Sequence, residues 1–271
     1  MNCLRVVVVI DADCIVEDGS ISELAATCMK YYCPVQALYL MGTVTNSPRQ
    51  KIAEFAWIVK NHVRPLGYLR MGLPCQLMGT GMAFPLGLLD KVNMAGSNIV
   101  EDMKLGIDLA KLGYSPRFCP TARVESVFPS EDESSQSQRT RWEHGHLSSI
   151  ITEGFGLLRE SLRQRNIYLL AMYFDLLVPP LALLSSILLT SLMVTGLTYF
   201  VFNVGSMPLT IITSACLLFC LSILLAWGGF GRQVISFREL LGIPGYVISK
   251  IPMYIRFWSK RQKDWVRTNR D

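Results

Sequence analysis

Four groups of residues in this 271-residue chain have the types and spacing of a site that handles a charged, oxygen-rich substrate. Asp11-Ala12-Asp13 places two carboxylates at alternate positions after the β-branched run Val6–Ile10. Alternate acids at a strand end can give oxygen ligands to a divalent cation, which can neutralise the charge of a phosphate group. A capped turn after a strand has the same appearance. Glu101-Asp102 opens a segment of helical spacing, where a carboxylate can act as a base or can simply complement the helix dipole. A base in that position needs burial to offset the pull of the helix amino end on its pKa. Gln138-Arg139-Thr140-Arg141-Trp142 combines an amide and a cation able to grip phosphate with an aromatic face for a sugar ring. The competing reading is the start of an amphipathic helix with Trp142 anchored at a membrane interface. Gly79-Thr80-Gly81-Met82 is either a loop whose bare backbone admits a ligand or a plain β-turn. His144 and His146 have no further Cys or His at ligand spacing, so they are expected to be surface or supporting residues.

The elements that must position these groups follow from periodicity. Val6–Ile10 predicts a buried parallel strand delivering acids at its carboxyl end, where open α/β sheets place ligands. Ser20–Lys30 predicts a helix with Ser20 as N-cap and Glu23 at N3. Strands are expected at Val35–Leu40 and within Met78–Pro85, and helices at Arg49–His62 and Glu101–Leu112, the latter stopped by Gly113. Pro129–Ser137 predicts a polar, acidic loop. Residues 1–146 thus form an α/β domain. In 147–170, Ile150, Ile151, Phe155, Leu158, Leu162 and Leu169 recur at three- and four-residue steps, with Arg159, Arg163 and Arg165 on other faces. That spacing predicts an interfacial amphipathic helix, and Leu240–Trp258 predicts a second.

Leu176 to Gly231 contains no Asp, Glu, Lys, Arg or His, which excludes a soluble core. A single span needs about 20 apolar residues, so the membrane region 171–231 holds two, at about 177–201 and 208–230. In the tail 232–271, nine Lys or Arg stand against Glu239, Asp264 and Asp271, so the excess charge of the chain, +5 in all, lies there. Basic flanks and an uncharged loop between the spans place both flanks in the cytosol. The tail is expected to meet anionic membrane lipids and not nucleic acid. The eight cysteines include no C-x-x-C pair, which excludes a disulfide framework or closed zinc site and fits a reducing compartment.

The order D-x-D, E-D, Q-x-x-R-W and membrane block, from about Val6 to the last residues, resembles a membrane-bound family 2 glycosyltransferase. That group includes the cellulose, chitin and hyaluronan synthases. The resemblance implies a glycosyltransferase A-type (Rossmann-like) domain on interfacial and transmembrane helices. It implies inverting transfer of a sugar from a nucleotide (UDP-) sugar to a growing glycan or polysaccharide, at the cytosolic side of a plasma (bacterial inner) membrane that the chain crosses more than once. By matching positions, Asp11 contacts the nucleotide sugar and Asp13 ligates Mg2+ or Mn2+. Asp102 is the base with Glu101 beside it, although Val100 stands where the family has Thr. Gly79, Thr80 and Gly81 line the acceptor pocket, Gln138 and Arg141 meet the diphosphate, and Trp142 meets the acceptor. Family members extend well ahead of the D-x-D, whereas ten residues precede Asp11 here, so an N-terminally truncated domain is expected. Two alternatives stand beside this reading. One is transfer to a lipid acceptor, as in ceramide glucosyltransferases. The other is an inactive membrane subunit that scaffolds the other subunits of a synthase complex.

Overall fold

Five strands form one mixed sheet in the order β1-β4-β3-β5-β2. The computed structural model describes residues 5–43, 47–92, 101–128, 132–203 and 205–259, by backbone alone over 132–139 and 258–259. The chain divides into two compact units, one of Met1–Thr45, Lys60–Val178 and Arg261–Asp271, the other of Asn46–Val59 and Pro179–Lys260.

In the first unit the sheet is built around β3, Val35–Gly42, whose residues Val35–Tyr39 and Met41 are buried. Such a run of buried positions suits a strand covered on both faces. It pairs in parallel with β5, Arg117–Val127, and antiparallel with β4, Met82–Pro85. The β3–β5 register shifts between Ala37 and Leu38, whose partners are Cys119 and Arg123. Pro120 lies in the skipped stretch, and proline has no N–H for a ladder.

The first strand departs from expectation. β1, Val6–Val9, is half-buried and pairs antiparallel with β4, not in parallel inside the sheet. An unbroken β-branched run carries no alternation, so it cannot distinguish a central strand from this position at the end of the sheet. The two-residue β2, Ile15–Val16, pairs with β5 at the opposite end. The segment Ile10–Cys14, with its two acids, therefore runs from one edge of the sheet to the other.

Helix α1, Ser20–Tyr31, starts where expected, but its N-cap is Gly19 at φ 83° and Ser20 lies inside it. The Ser20 hydroxyl instead accepts the Arg123 N–H of β5 at 2.9 Å, a tertiary bond that displaces the local capping role. The expected helix over Arg49–His62 is three elements: α2, Pro48–Ile58, a π-turn at Val59–Val63, and α3, Arg64–Arg70. After the short α4, Leu86–Leu89, helix α5 occupies Glu101–Lys111 and ends at Gly113, φ 93°. Leu109 of α5 packs with Leu77, Met82 and Phe84 on the sheet side. Met103, Ile107 and Ala110 pack with Leu157, Leu169, Met172 and Leu176. The last four belong to α6, Asp132–Gln164, and α7, Ile167–Leu177.

The predicted loop over Pro129–Ser137 is corrected for its described part: 132–137 are the first turns of α6, while 129–131 lie outside the described residues. The dipole of a helix favours acidic residues at its amino end, so a polar, acidic composition does not exclude a helix there. Instead of one segment over 147–170, α6 stops at Arg165, φ 50°, and α7 begins after Asn166, which accepts the Tyr168 N–H. Ile151, Phe155, Leu162, Ile167, Tyr168 and Phe174 remain exposed on these two helices.

In the second unit, α8, Leu181–Phe202, and α9, Met207–Ala226 continuing into a π-turn at Trp227–Gly231, are long and apolar enough to cross a membrane. Almost none of their residues is fully buried, unlike those of a soluble core helix. α2 packs with the tail helices α10, Phe237–Leu240, and α11, Ile243–Ser259, and Lys51 pairs with Glu239 at 3.0 Å. Glu239 also completes a capping box with Ser236. Gly231 lets the Phe55 ring approach: a Cβ there would stand 2.5 Å from the ring and 3.2 Å from Trp227. Gly231→Ala is expected to destabilise this unit by about 1–3 kcal/mol, the usual cost of overpacking, read as a lower melting temperature of the detergent-solubilised protein.

Candidate active site

The Gly79–Gly81 loop is where the separated acidic motifs meet. Gly79 and Gly81 adopt φ 88° and 65°, backbone that glycine reaches without strain. A Cβ on Gly81 would lie 2.9 Å from the Ala37 Cβ and 3.0 Å from Val124, so the loop can seat on the sheet only with glycine there. A Cβ on Gly79 would lie 3.5 Å from Asp102 Oδ2, so the bare backbone of the loop faces the carboxylate that opens α5. Next to it, Thr80 is fully buried and its hydroxyl accepts the Asp11 N–H at 2.9 Å. One tripeptide thus touches both acidic motifs.

The Asp11–Asp13 segment is a tight turn, with Cys14 N–H donating to the Asp11 carbonyl at 3.1 Å. The side-chain ligand atoms of Asp11, Asp13 and Cys14 all lie within 4.8 Å of one another. Both carboxylates are exposed, while burial pushes the Cys14 thiol up and keeps it protonated. The donors on offer are therefore carboxylate oxygens, a set that fits Mg2+ or Mn2+ better than a thiolate-seeking cation. The turn is also tied to β5, since the Ser126 hydroxyl donates to the Asp13 carbonyl at 3.4 Å. Tyr39 of β3 approaches Cys14 and Ser126, and burial pushes its hydroxyl up.

Asp102 is half-buried, and burial pushes its carboxyl up to about 6, against the lowering effect of the Met103 N–H and the Lys60 ammonium. Glu101, exposed at the same helix start, adds a smaller upward push. Lys60 sits on the Val59–Val63 π-turn, a local widening that often marks a functional position. Burial and the neighbouring Arg64 push its ammonium down, while Asp102, Glu143 and Asp175 draw it back up. Arg64 in turn bridges to the buried Asp175 of α7, Nε to Oδ1 at 2.9 Å. Asp175, one residue ahead of the uncharged block, is thus the buried anion of this pair.

The pentad lies within α6. Arg141 and Trp142 are half-buried, and Glu143, the next residue, is one of the anions around Lys60. The Gln138 side chain and Val100 lie outside the described residues. His144 and His146 are both buried, which corrects the surface expectation. His146 Nε2 meets the Leu176 carbonyl at 3.1 Å, and burial, with Lys60 and Arg64 nearby, pushes its imidazole down to about 3. It is a neutral core histidine.

Sequence reasoning missed Gln36. Fully buried on β3, its amide donates to the Thr80 carbonyl at 2.9 Å and the Ala37 carbonyl at 3.0 Å, and its oxygen accepts the Met78 N–H at 2.8 Å. The available signal was a lone amide inside an apolar strand, since buried amides are held by hydrogen bonds. Lys60, Arg64, Tyr39 and Ser126 carried no such signal.

An acidic turn, a glycine loop and a partly buried carboxylate thus come together on one mixed sheet. The chain belongs to glycosyl transferase family group 2, whose model matches residues 6–230. No curated protein matches the chain closely enough to count as a relative. It is a glycosyltransferase, and the family as a whole moves sugars from nucleotide-sugar donors to glycan acceptors with a divalent cation.

The raised Asp102 carboxyl has a stability consequence with a definite sign. The folded state keeps its proton to about 6, whereas the unfolded state releases it near 3.8. The Asp102 contribution is therefore most favourable at acid pH and is lost as pH rises through that window. Asp102→Asn should remove that part of the decline, so the variant gains on wild type between these two pH values in denaturant titrations.

Proposed function

We propose that this protein transfers a sugar, with inversion at the anomeric carbon, from a UDP-sugar to a hydroxyl of a growing glycan on the cytosolic side of the plasma membrane. The observation that carries this reading is the Gly79–Gly81 loop, which faces the Asp102 carboxylate and binds the Asp11 turn. Acceptor, base and cation would then converge on one point. Asp102 takes the proton of the attacking hydroxyl, the oxygen forms a bond to the anomeric carbon, and the bond from that carbon to the diphosphate breaks, releasing UDP. A single displacement of this kind inverts the centre. Asp13, assisted by Asp11, would hold Mg2+ or Mn2+, which neutralises charge on the departing diphosphate. Arg141 with Gln138 would steady that diphosphate, and Trp142 would stack on the acceptor sugar. A carboxyl held near 6 is ionised at neutral pH and still basic enough to accept a proton, the balance a general base needs.

Membrane placement is supported by α8 and α9, by the uncharged residues between them, and by the exposed Arg159, Arg163 and Arg165 ahead of α8. Residues 147–170 would lie along the interface, and the basic tail 232–271 would stay cytosolic.

Radiolabelled transfer and donor titration on the purified protein test the chemistry. Asp102→Asn should leave UDP-sugar binding in place while turnover falls about a hundredfold or more, the scale of lost general-base catalysis. Trp142→Ala should chiefly weaken acceptor use. Full activity in both variants would remove the roles given to Asp102 and Trp142, absence of donor binding and transfer in wild type would leave the scaffold reading, and label appearing in lipid would shift the acceptor class.

For topology, a cysteine introduced at Gly205 in a cysteine-free background should be labelled from outside intact cells, and one at Ser249 should be spared. The opposite pattern would overturn the orientation.

A further inference from the structure

Thr80 was expected to line the acceptor pocket, yet its side chain is fully buried and committed to protein atoms. Its Oγ accepts the Asp11 N–H at 2.9 Å and donates to Cys14 Sγ at 3.6 Å, so one hydroxyl grips the first and last residues of the acidic turn. The Thr80 carbonyl, on the other side, accepts from Gln36 Nε2 at 2.9 Å, and Gln36 Oε1 accepts the Met78 N–H at 2.8 Å. The Gly81 carbonyl accepts the Ala37 N–H at 2.7 Å. Every residue from Met78 to Gly81 is thus bonded to β3 or to the acidic turn, save Gly79, which faces Asp102 Oδ2. A plain turn needs none of these long-range bonds.

We propose that Thr80 and Gln36 are positioning residues that latch the Asp11–Asp13 turn to the glycine loop, so that cation site and base are set by one rigid connection. The proposal rests on the reading that Asp13 with Asp11 holds the cation. Without the hydroxyl, the Asp11 amide loses its partner and the turn samples other arrangements. Cation affinity then falls although no ligand atom has changed. Gln36 exerts the same control from the sheet side through the Thr80 carbonyl.

Mn2+ binding by the purified protein, followed by the electron paramagnetic resonance of free Mn2+, tests this together with amide hydrogen exchange over residues 10–14. Thr80→Val should weaken Mn2+ binding about tenfold, the scale of one buried hydrogen bond, and Thr80→Ser should stay within about twofold of wild type. Gln36→Met should also weaken binding, and both impairing variants should exchange faster over 10–14. Folded Thr80→Val or Gln36→Met with wild-type Mn2+ affinity would overturn the proposal. Failure of both to fold would make the residues purely structural and overturn it equally. If wild type binds no Mn2+, or Asp13→Asn binds it as well, the cation reading fails instead. Exchange over 10–14 then decides the latch alone, with no change in Thr80→Val counting against it.

Discussion

A buried amide holds this site together. Gln36 lies within the β3 run, where an unsatisfied amide would cost about 1–3 kcal/mol, and it is stable there because three backbone groups complete its hydrogen bonds. Two of those groups belong to the Met78–Thr80 segment. The loop therefore cannot leave the sheet without stranding polar atoms on both sides. Gly81 reinforces this, because its contact with Ala37 and Val124 leaves no space for a side chain. The chemistry assigned to Asp102 and Asp11 depends on a loop that is rigid for reasons of packing and hydrogen bonding rather than ligand binding.

Charge is balanced in the same neighbourhood by pairing across distant segments. Arg64 is engaged by Asp175, which leaves Lys60 as the cation acting on Asp102 and Glu143. The Met103 N–H and Lys60 together draw the Asp102 carboxyl down against the burial that raises it. The neutral His146 adds no further charge.

Much of the fold was legible because it is local. The β3 run, the α5 spacing with its Gly113 stop and the uncharged block of α8 and α9 are patterns within a few residues of one another. The acidic pairs and glycine loop were visible as residue types, and the structure brings Gly79 beside Asp102 and Thr80 beside Asp11. The failures were tertiary. Ser20 has the look of an N-cap, but the Arg123 N–H competes for its hydroxyl. Val6–Val9 reads as central because apolar composition does not report which edge a strand occupies. Gln36 reads as a blemish in a strand until the loop it binds, more than forty residues later, is in place. Buried His144 and His146 reflect where α6 and α7 pack, which no spacing of two histidines encodes.

The acidic turn joins β1 at one end of the sheet to β2 at the other, and β2 pairs with β5, Arg117–Val127. During synthesis Asp11 and Asp13 emerge ahead of β5, and the far anchor of their turn does not exist until that strand has been made. The loop carrying Thr80 likewise arrives after them. A nascent chain thus exposes its acids long before they are held at a fixed separation. The order of the strands along the message delays assembly of the acidic turn until the sheet is complete.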